Sequence, residues 1–214
     1  MAKTILDVSR HQGVVDWDKV KASGNVDGVM IRALGTSNGK PYIDPQFARN
    51  YAECTRLGLP VGIYWYSTAA TKAAADAELT LLHSVLAGKT LQLPVALDLE
   101  ATGLRKLGKS ALTDLAAYEL AQLERWGLYA MLYTYLDFAQ NCLHMGGAAL
   151  KPYDVWLAAY RAKKPATDFA YGMWQYTSTA RVPGIAVDVD LSEAYKDYPA
   201  IIQCKGLGGP VKGA

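Results

Sequence analysis

Short, continuous apolar runs rich in β-formers alternate along this chain with longer segments of helical period. No other feature constrains its fold as strongly. The runs are "TILDV" (4–8), "GVMIRA" (28–33), "VGIYWYS" (61–67), "PVALDLE" (94–100), "LYAMLYT" (128–134), "DVWLAAY" (154–160), "GMWQYT" (172–177) and "AVDVDL" (186–191). Most are apolar throughout rather than at every second position, as expected of strands covered on both faces. Helical segments fall at 16–23, 44–58, 71–88, 110–127 and 136–143. The order is therefore β-α five times, then three strands with short connections. Alternating β and α predicts a parallel sheet, and eight strands suggest closure into a barrel. The last third lacks helices, so the expected α/β fold is an irregular (β/α)5(β)3 barrel, TIM-barrel-like but not eightfold regular.

Local punctuation supports the helices. In 44–58, Asp44 is placed to cap the N-terminus, Pro45 occupies the first helical position and Gly58 stops the helix. Phe47, Tyr51 and Cys54 give it one inward face, and Ala116, Leu120 and Leu123 do the same for 110–127. With 51% hydrophobic residues the chain has enough apolar mass for one large core. No domain boundary precedes the Gly-rich end, so the division expected is a barrel over 1–200 and a disordered tail or linker stub over 201–214.

Several function classes are excluded. A net charge of +2 leaves no footprint for nucleic acid or another polyanion. Three cysteines, Cys54, Cys142 and Cys204, do not make a disulfide scaffold. "CLH" at 142–144 has no partner cluster, so neither metal nor other cofactor is expected. The start, "MAKTILDVSRHQG", lacks the apolar stretch of a secretory signal, and no run is long enough to span a membrane.

What stands out instead is acid at strand ends. Active sites of parallel barrels form where the strands end. Asp7 ends the first strand, Asp98 and Glu100 end the fourth, and Asp188 lies in the last. Asp98 and Glu100 are two apart and share a face, while Leu99 turns to the helices. Carboxyls gathered in one mouth cannot all ionise cheaply, so one is left as a proton donor near neutral pH. Paired carboxyls with split roles are the equipment of glycoside hydrolysis. Aromatics crowd the same ends: Tyr64, Tyr66, Tyr133, Trp156, Tyr160, Trp174 and Tyr176. Flat rings beside acids suit pyranose faces. Arg32, at the end of the second strand, is suited to a carboxylate or amide on the substrate, or to neutralising a neighbouring acid. His11 lies near the expected mouth, and "TGLRKLGKS" (102–110) is a basic loop beside it.

These residues resemble the glycoside hydrolase family 25 lysozymes, the Chalaropsis-type N-acetylmuramidases. The matching segments are "LDVSRHQGVVDW" (6–17), "DPQFARNYAECTRLGLPVGIYWY" (44–66), "LPVALDLE" (93–100) and "MWQYTSTARVPGIAVDVDLS" (173–192). The resemblance implies a barrel of five β/α units and three further strands, and cleavage of the β-1,4 bond between N-acetylmuramic acid and N-acetylglucosamine in peptidoglycan. Its acidic cluster falls on Asp7, Asp98, Glu100 and Asp188, with Glu100 as proton donor. Tyr64, Tyr66, Tyr133, Trp156, Trp174, Gln175 and Arg32 are the expected substrate contacts. The chain departs from the family in two places. "RALGTSNG" replaces the usual Lys-Ala-Thr-Glu-Gly, losing an acid near Gly35, and Asp190 stands where an Asn is common.

Cα atoms two apart on a strand lie about 6.5–7 Å apart on one face. That suits Asp98 to orienting the substrate's 2-acetamido group, which would then attack the anomeric carbon, rather than to attacking directly. The expected partner is the peptidoglycan glycan strand, met by a monomer; with no secretory signal seen, release from a host cytoplasm at lysis, as for an endolysin, and loss of a signal or a wall-binding module by trimming both fit. The alternatives are another β-1,4 hexosaminidase of chitinase-like type and a barrel that only binds sugar.

Overall fold

The structure, a computed structural model, describes residues 2–212. Its strands are β1 (Lys3–Val8), β2 (Gly28–Ser37), β3 (Lys40–Ile43), β4 (Val61–Tyr66), β5 (Val95–Asp98), β6 (Ala130–Tyr135), β7 (Asp154–Ala158), β8 (Met173–Ala180) and β9 (Val189–Ala194). All but β3 close a barrel, with β1 bonded to both β2 and β9. Its helices are α1 (Trp17–Ala22), α2 (Phe47–Arg56), α3 (Lys72–Leu86), α4 (Lys109–Arg125), α5 (Leu136–Cys142) and α6 (Tyr198–Cys204). The five β/α units and three following strands lie where the sequence placed them.

The sheet is not parallel throughout. β9 runs antiparallel to both β8 and β1. No helix separates β8 from β9, and a short connection can only return the chain antiparallel. β2 also runs on past the expected 28–33 and turns back into β3 through Asn38 and Gly39, both with positive φ. This is the Asn-Gly hairpin turn. It places a ninth strand outside the barrel.

Side-chain alternation sorts the core into two bodies. Val29, Ile31, Ile63, Leu97, Leu99 and Leu132 face the helices, where Leu82, Ala116, Leu120 and Leu123 meet them. Ile5, Met30, Ala96, Met131, Met173 and Ala194 face the barrel interior. Space there is tight at Gly62, where a Cβ would come 2.4 Å from Met30 Sδ and 2.7 Å from Pro94 O. One step further along the strands the interior turns polar, and that change creates the site.

Two local expectations are corrected. α2 begins at Phe47 and receives no side-chain cap. Asp44, read as its N-cap, is buried and instead accepts from Arg10 N at 3.0 Å, Arg32 Nε at 2.7 Å and Gln46 N at 2.9 Å. The demand of Arg32 for a counter-charge outweighs a helix cap. The described part of 201–214 is packed rather than a loose tail. α6 is capped by Asp197 and lays Tyr198 and Ile202 under the interior core. Beyond it, Leu91 N donates to Gly208 O at 2.8 Å, Gly88 N donates to Val211 O at 2.9 Å, and Val211 is 3% exposed. Gly213 and Ala214 lie outside the described residues.

Candidate active site

The C-terminal ends of the strands surround a cavity of about 540 Å³. Each barrel strand delivers its residues by the same alternation that packs the interior below. Ile5 is followed inward by Asp7, Met30 by Arg32, Ala96 by Asp98, Met131 by Tyr133 and Met173 by Gln175. Asp98 stands level with Tyr66 on β4 and Tyr133 on β6. β5 ends there, yet Leu99 N still donates to Tyr133 O at 2.9 Å and Leu99 is fully buried on the helix side. Alternation thus continues for one more pair, and Glu100 enters the same cavity as Asp98.

Of the expected acids, Asp7, Asp98 and Glu100 line the cavity and Asp188 does not. Asp188 precedes β9, is 49% exposed in its side chain and pairs with Arg181 at 2.9 Å. Asp190 takes its place. It is the direct cross-strand partner of Asp7 and lines the cavity. The barrel brings together Arg32, Tyr64, Tyr66, Tyr133, Trp156 and Gln175 as expected, but not Trp174. With Met173 and Gln175 facing inward, Trp174 faces outward, where its indole donates to Ala159 O at 2.9 Å.

A hydrogen-bond chain fixes the floor. Tyr133 and Tyr160 hydroxyls donate to Gln175 Oε1 at 2.9 and 3.1 Å, and Gln175 Nε2 donates to Asp7 Oδ2 at 3.0 Å. Asp7 in turn shares a hydrogen bond with Asp190, which requires a proton on one of them. Burial, then the charge of Asp190, pushes the Asp7 carboxyl well up. Trp156 donates to Ser192 Oγ at 2.9 Å, which sets its ring edge-on to Tyr133.

Asp98 and Glu100 differ in surroundings. Asp98 is 4% exposed, and its Oδ1 is buried without a protein partner. Burial, then the charges of Glu100 and Asp7, raises its pKa, against a lowering by Arg32. Glu100 is half-buried, and its pKa is raised by burial first and by Asp190 second. Both shifts favour the protonated form of a carboxyl that solvent and a ligand can still reach.

The opposite wall is cationic. Arg32 is held against Asp44, and Arg10 lies 5.1 Å over the Tyr42 ring. A reciprocal turn, with Ser9 N donating to Gln12 Oε1 at 2.8 Å, carries Arg10 and His11 to the mouth. Burial, then the charges of Arg32 and Arg10, lowers the His11 pKa. Sequence reasoning missed Arg10, Gln12, Thr36 and Tyr42. The last two arrive with the β2–β3 hairpin, whose signal was the "SNG" at 37–39. A bulge at Ala33 resets the alternation, so Arg32 and Gly35 both face the cavity. A Cβ on Gly35 would lie 2.5 Å from the Tyr42 hydroxyl, so the Tyr42 ring packs directly over the Gly35 backbone.

The sequence profile of glycosyl hydrolases family 25 matches residues 6–185. The uncharacterized protein YegX of Escherichia coli K12 is 28% identical over 190 residues, spanning 87% of this chain and 67% of YegX. Lysozyme M1 of Streptomyces globisporus is 26% identical over 200 residues, spanning 86% of this chain and 65% of that enzyme. Among solved structures, the CTP1L endolysin superposes with a TM-score of 0.80 at 25% identity, over 94% of this chain and 70% of its own.

Proposed function

The chain belongs to glycosyl hydrolases family 25, and from that premise we propose that it cuts peptidoglycan between N-acetylmuramic acid and N-acetylglucosamine with Glu100 as acid and base. It is a glycoside hydrolase of lysozyme type whose substrate is the bacterial wall. The observation that carries the division of labour is the contrast between Asp98 and Glu100. Glu100 stands half-exposed, whereas Asp98 is buried with one oxygen unpaired.

In the first step Glu100 passes its proton to the glycosidic oxygen as the bond to the anomeric carbon breaks. The oxygen of the substrate's own 2-acetamido group bonds to that carbon and closes a five-membered ring. The acetamido N–H then gains positive character, and Asp98 Oδ1 is the acceptor suited to it. In the second step the Glu100 carboxylate takes a proton from water, the water oxygen bonds to the anomeric carbon, and the ring reopens with configuration retained. Asp7 and Asp190 share one proton; Asp7 holds Gln175, and Asp190 adds negative charge near Glu100. Among the described residues no helix is long and apolar enough to cross a membrane. Release at lysis, as for an endolysin, fits action on the wall.

Digestion of purified peptidoglycan tests the reading. New reducing ends should be muramic acid, and Glu100→Gln should lose about 10²–10⁴-fold in kcat. Near-normal turnover by Glu100→Gln removes the acid role. A glycosyl adduct trapped on Asp98 removes the acetamido pathway in favour of direct attack.

A further inference from the structure

The mouth is not the only place where carboxyls meet. Glu78 of α3 and Glu119 of α4 are buried behind the end of β4, on the helix side of the barrel wall. The chain leaves the ladder there, and its N–H groups need other partners. Ser67 N donates to Asp98 O at 3.0 Å, Thr68 N to Glu78 Oε1 at 3.2 Å and Ala69 N to Ser67 Oγ at 3.3 Å. Ser67 Oγ itself donates to Glu119 Oε1 at 3.3 Å. Two helices thus hold the residues that follow Tyr66, and the first of these residues is bonded to the backbone of Asp98. Each carboxyl keeps one oxygen, Glu78 Oε2 and Glu119 Oε2, buried without a partner. We propose that Glu78 and Glu119 hold one proton between those two oxygens and act as positioning residues, fixing through Ser67 the strand end that presents Tyr66 and Asp98 to the sugar. The part that concerns the sugar rests on the lysozyme reading above.

A buried carboxyl oxygen left without a partner is costly. One proton between the two oxygens satisfies both and leaves a single negative charge. The surrounding donors decide where that charge sits. Glu78 receives the Thr68 N–H and lies by the Ser67 hydroxyl and the Trp65 indole N–H, which has no other partner. Glu119 receives Ser67 alone. Glu78 is therefore the carboxylate, and the proton stays on Glu119, where burial and then the charge of Glu78 push the carboxyl up to about 8. Among the described residues no cation offsets the pair. The neighbouring ionisable groups of α3 and α4 are Asp76, Lys72 and Tyr118, which contact one another at the surface. β4 contributes Trp65 and Ser67, and the Asp98 side chain of β5 points into the mouth. Loss of the shared proton puts two like charges in one buried space and drives the carboxyls apart. Ser67 then loses its hold, and the Asp98 backbone loses part of its own. A group that must meet the acetamido N–H tolerates little displacement.

The experiment reads the proton and its consequence separately. Without any sugar, tryptophan fluorescence followed across the alkaline range should show a transition centred at about pH 8. Glu119→Gln should remove it, because the amide makes the same two contacts and has no proton to lose. Trp65→Phe should remove it as well, which assigns the signal. Binding is then measured in the Glu100→Gln background, where turnover is slow. Calorimetric titration with a tetrasaccharide of alternating N-acetylglucosamine and N-acetylmuramic acid should give a Kd that rises at least about tenfold across the transition. Adding Glu119→Gln should cut that rise below about threefold. The acids of the mouth titrate in both proteins and cancel in the comparison, and circular dichroism at each pH checks that both stay folded. Glu78→Gln places an amide on the other side of the same contact and should act alike, so it carries the test if Glu119→Gln fails to fold. A parent without the transition, or a transition that survives both variants, overturns the shared proton. An equal rise in Kd with and without the amide overturns the positioning role. Failure of the unaltered enzyme to release muramic acid ends overturns the lysozyme reading, while the fluorescence result, read without sugar, still decides the shared proton.

Discussion

Away from the mouth, two carboxylates are buried where α3 and α4 meet the end of β4, and they make the stability of this enzyme depend on pH. Glu119 of α4 is 0% exposed and accepts from Ser67 Oγ at 3.3 Å. Glu78 of α3 is also buried and accepts from Thr68 N at 3.2 Å. Burial, then the neighbouring Glu78, pushes the Glu119 carboxyl from its ordinary 4.5 up to about 8. The folded protein therefore keeps a proton that the unfolded chain has lost between those two values. Where the folded state holds more protons, stability falls as pH rises. The penalty is absent below about 4.5, grows across the window and is complete above about 8. At about 1.4 kcal/mol for each pH unit, the window carries on the order of 5 kcal/mol, a large part of the stability of an ordinary domain. Glu119→Gln removes this titration while keeping an oxygen for Ser67. Its amide nitrogen needs a partner, so the variant starts no more stable than the parent at pH 5. Other titrating groups act in both proteins and largely cancel in the difference. Urea unfolding, followed by tryptophan fluorescence from pH 5 to 8.5, should show the variant gaining on the parent by several kcal/mol. A difference that stays flat across that range refutes the reasoning.

Three further outcomes follow from the site and the packing. Asp190→Asn should lower activity on peptidoglycan and move the alkaline limb of the kcat profile to lower pH, because the Asp190 charge helps raise the Glu100 pKa; Asp188→Asn should leave both unchanged. Gly62→Ala should destabilise by about 1–3 kcal/mol through overpacking against Met30 and Pro94, seen as a lower Tm. Val211→Ala should cost about 1.5 kcal/mol in chemical unfolding, from two buried methyl carbons at about 0.8 kcal/mol each, whereas a loose tail would show no change.

Much of the fold was legible because its signals are local. A continuous apolar run cut by a glycine-ended helical period needs no knowledge of the rest of the chain, and each β/α unit is written that way. What sequence reading lost depends on distant partners or on short signals. β9 runs antiparallel because of a missing crossover, not because of its own residues. α6 is only seven residues long; the Asp-Tyr-Pro at 197–199 was a usable cap signal that the Gly-rich end obscured. Asp44 stands directly before Pro45 as a cap would, yet Arg32, twelve residues earlier, claimed it. No local rule ranks a helix cap against a buried guanidinium.

The acids show where local reasoning stops. That Asp98 and Glu100 share a face was read from parity, and parity sufficed because no other acid stands beside them at that strand end. The last strand carries two, Asp188 and Asp190, also two apart. Parity puts both on one face and cannot choose between them. The choice is made by β1, since Asp7 pairs across the ladder with Asp190 and leaves Asp188 beyond the strand. Once there, Asp188 meets Arg181 in solvent, while Asp190 meets a buried carboxyl and must share its proton. One step of register thus separates a surface ion pair from a group that tunes Glu100. A substitution that shifts β9 by two residues against β1 should abolish activity with the barrel intact, and it should do so without altering any acid.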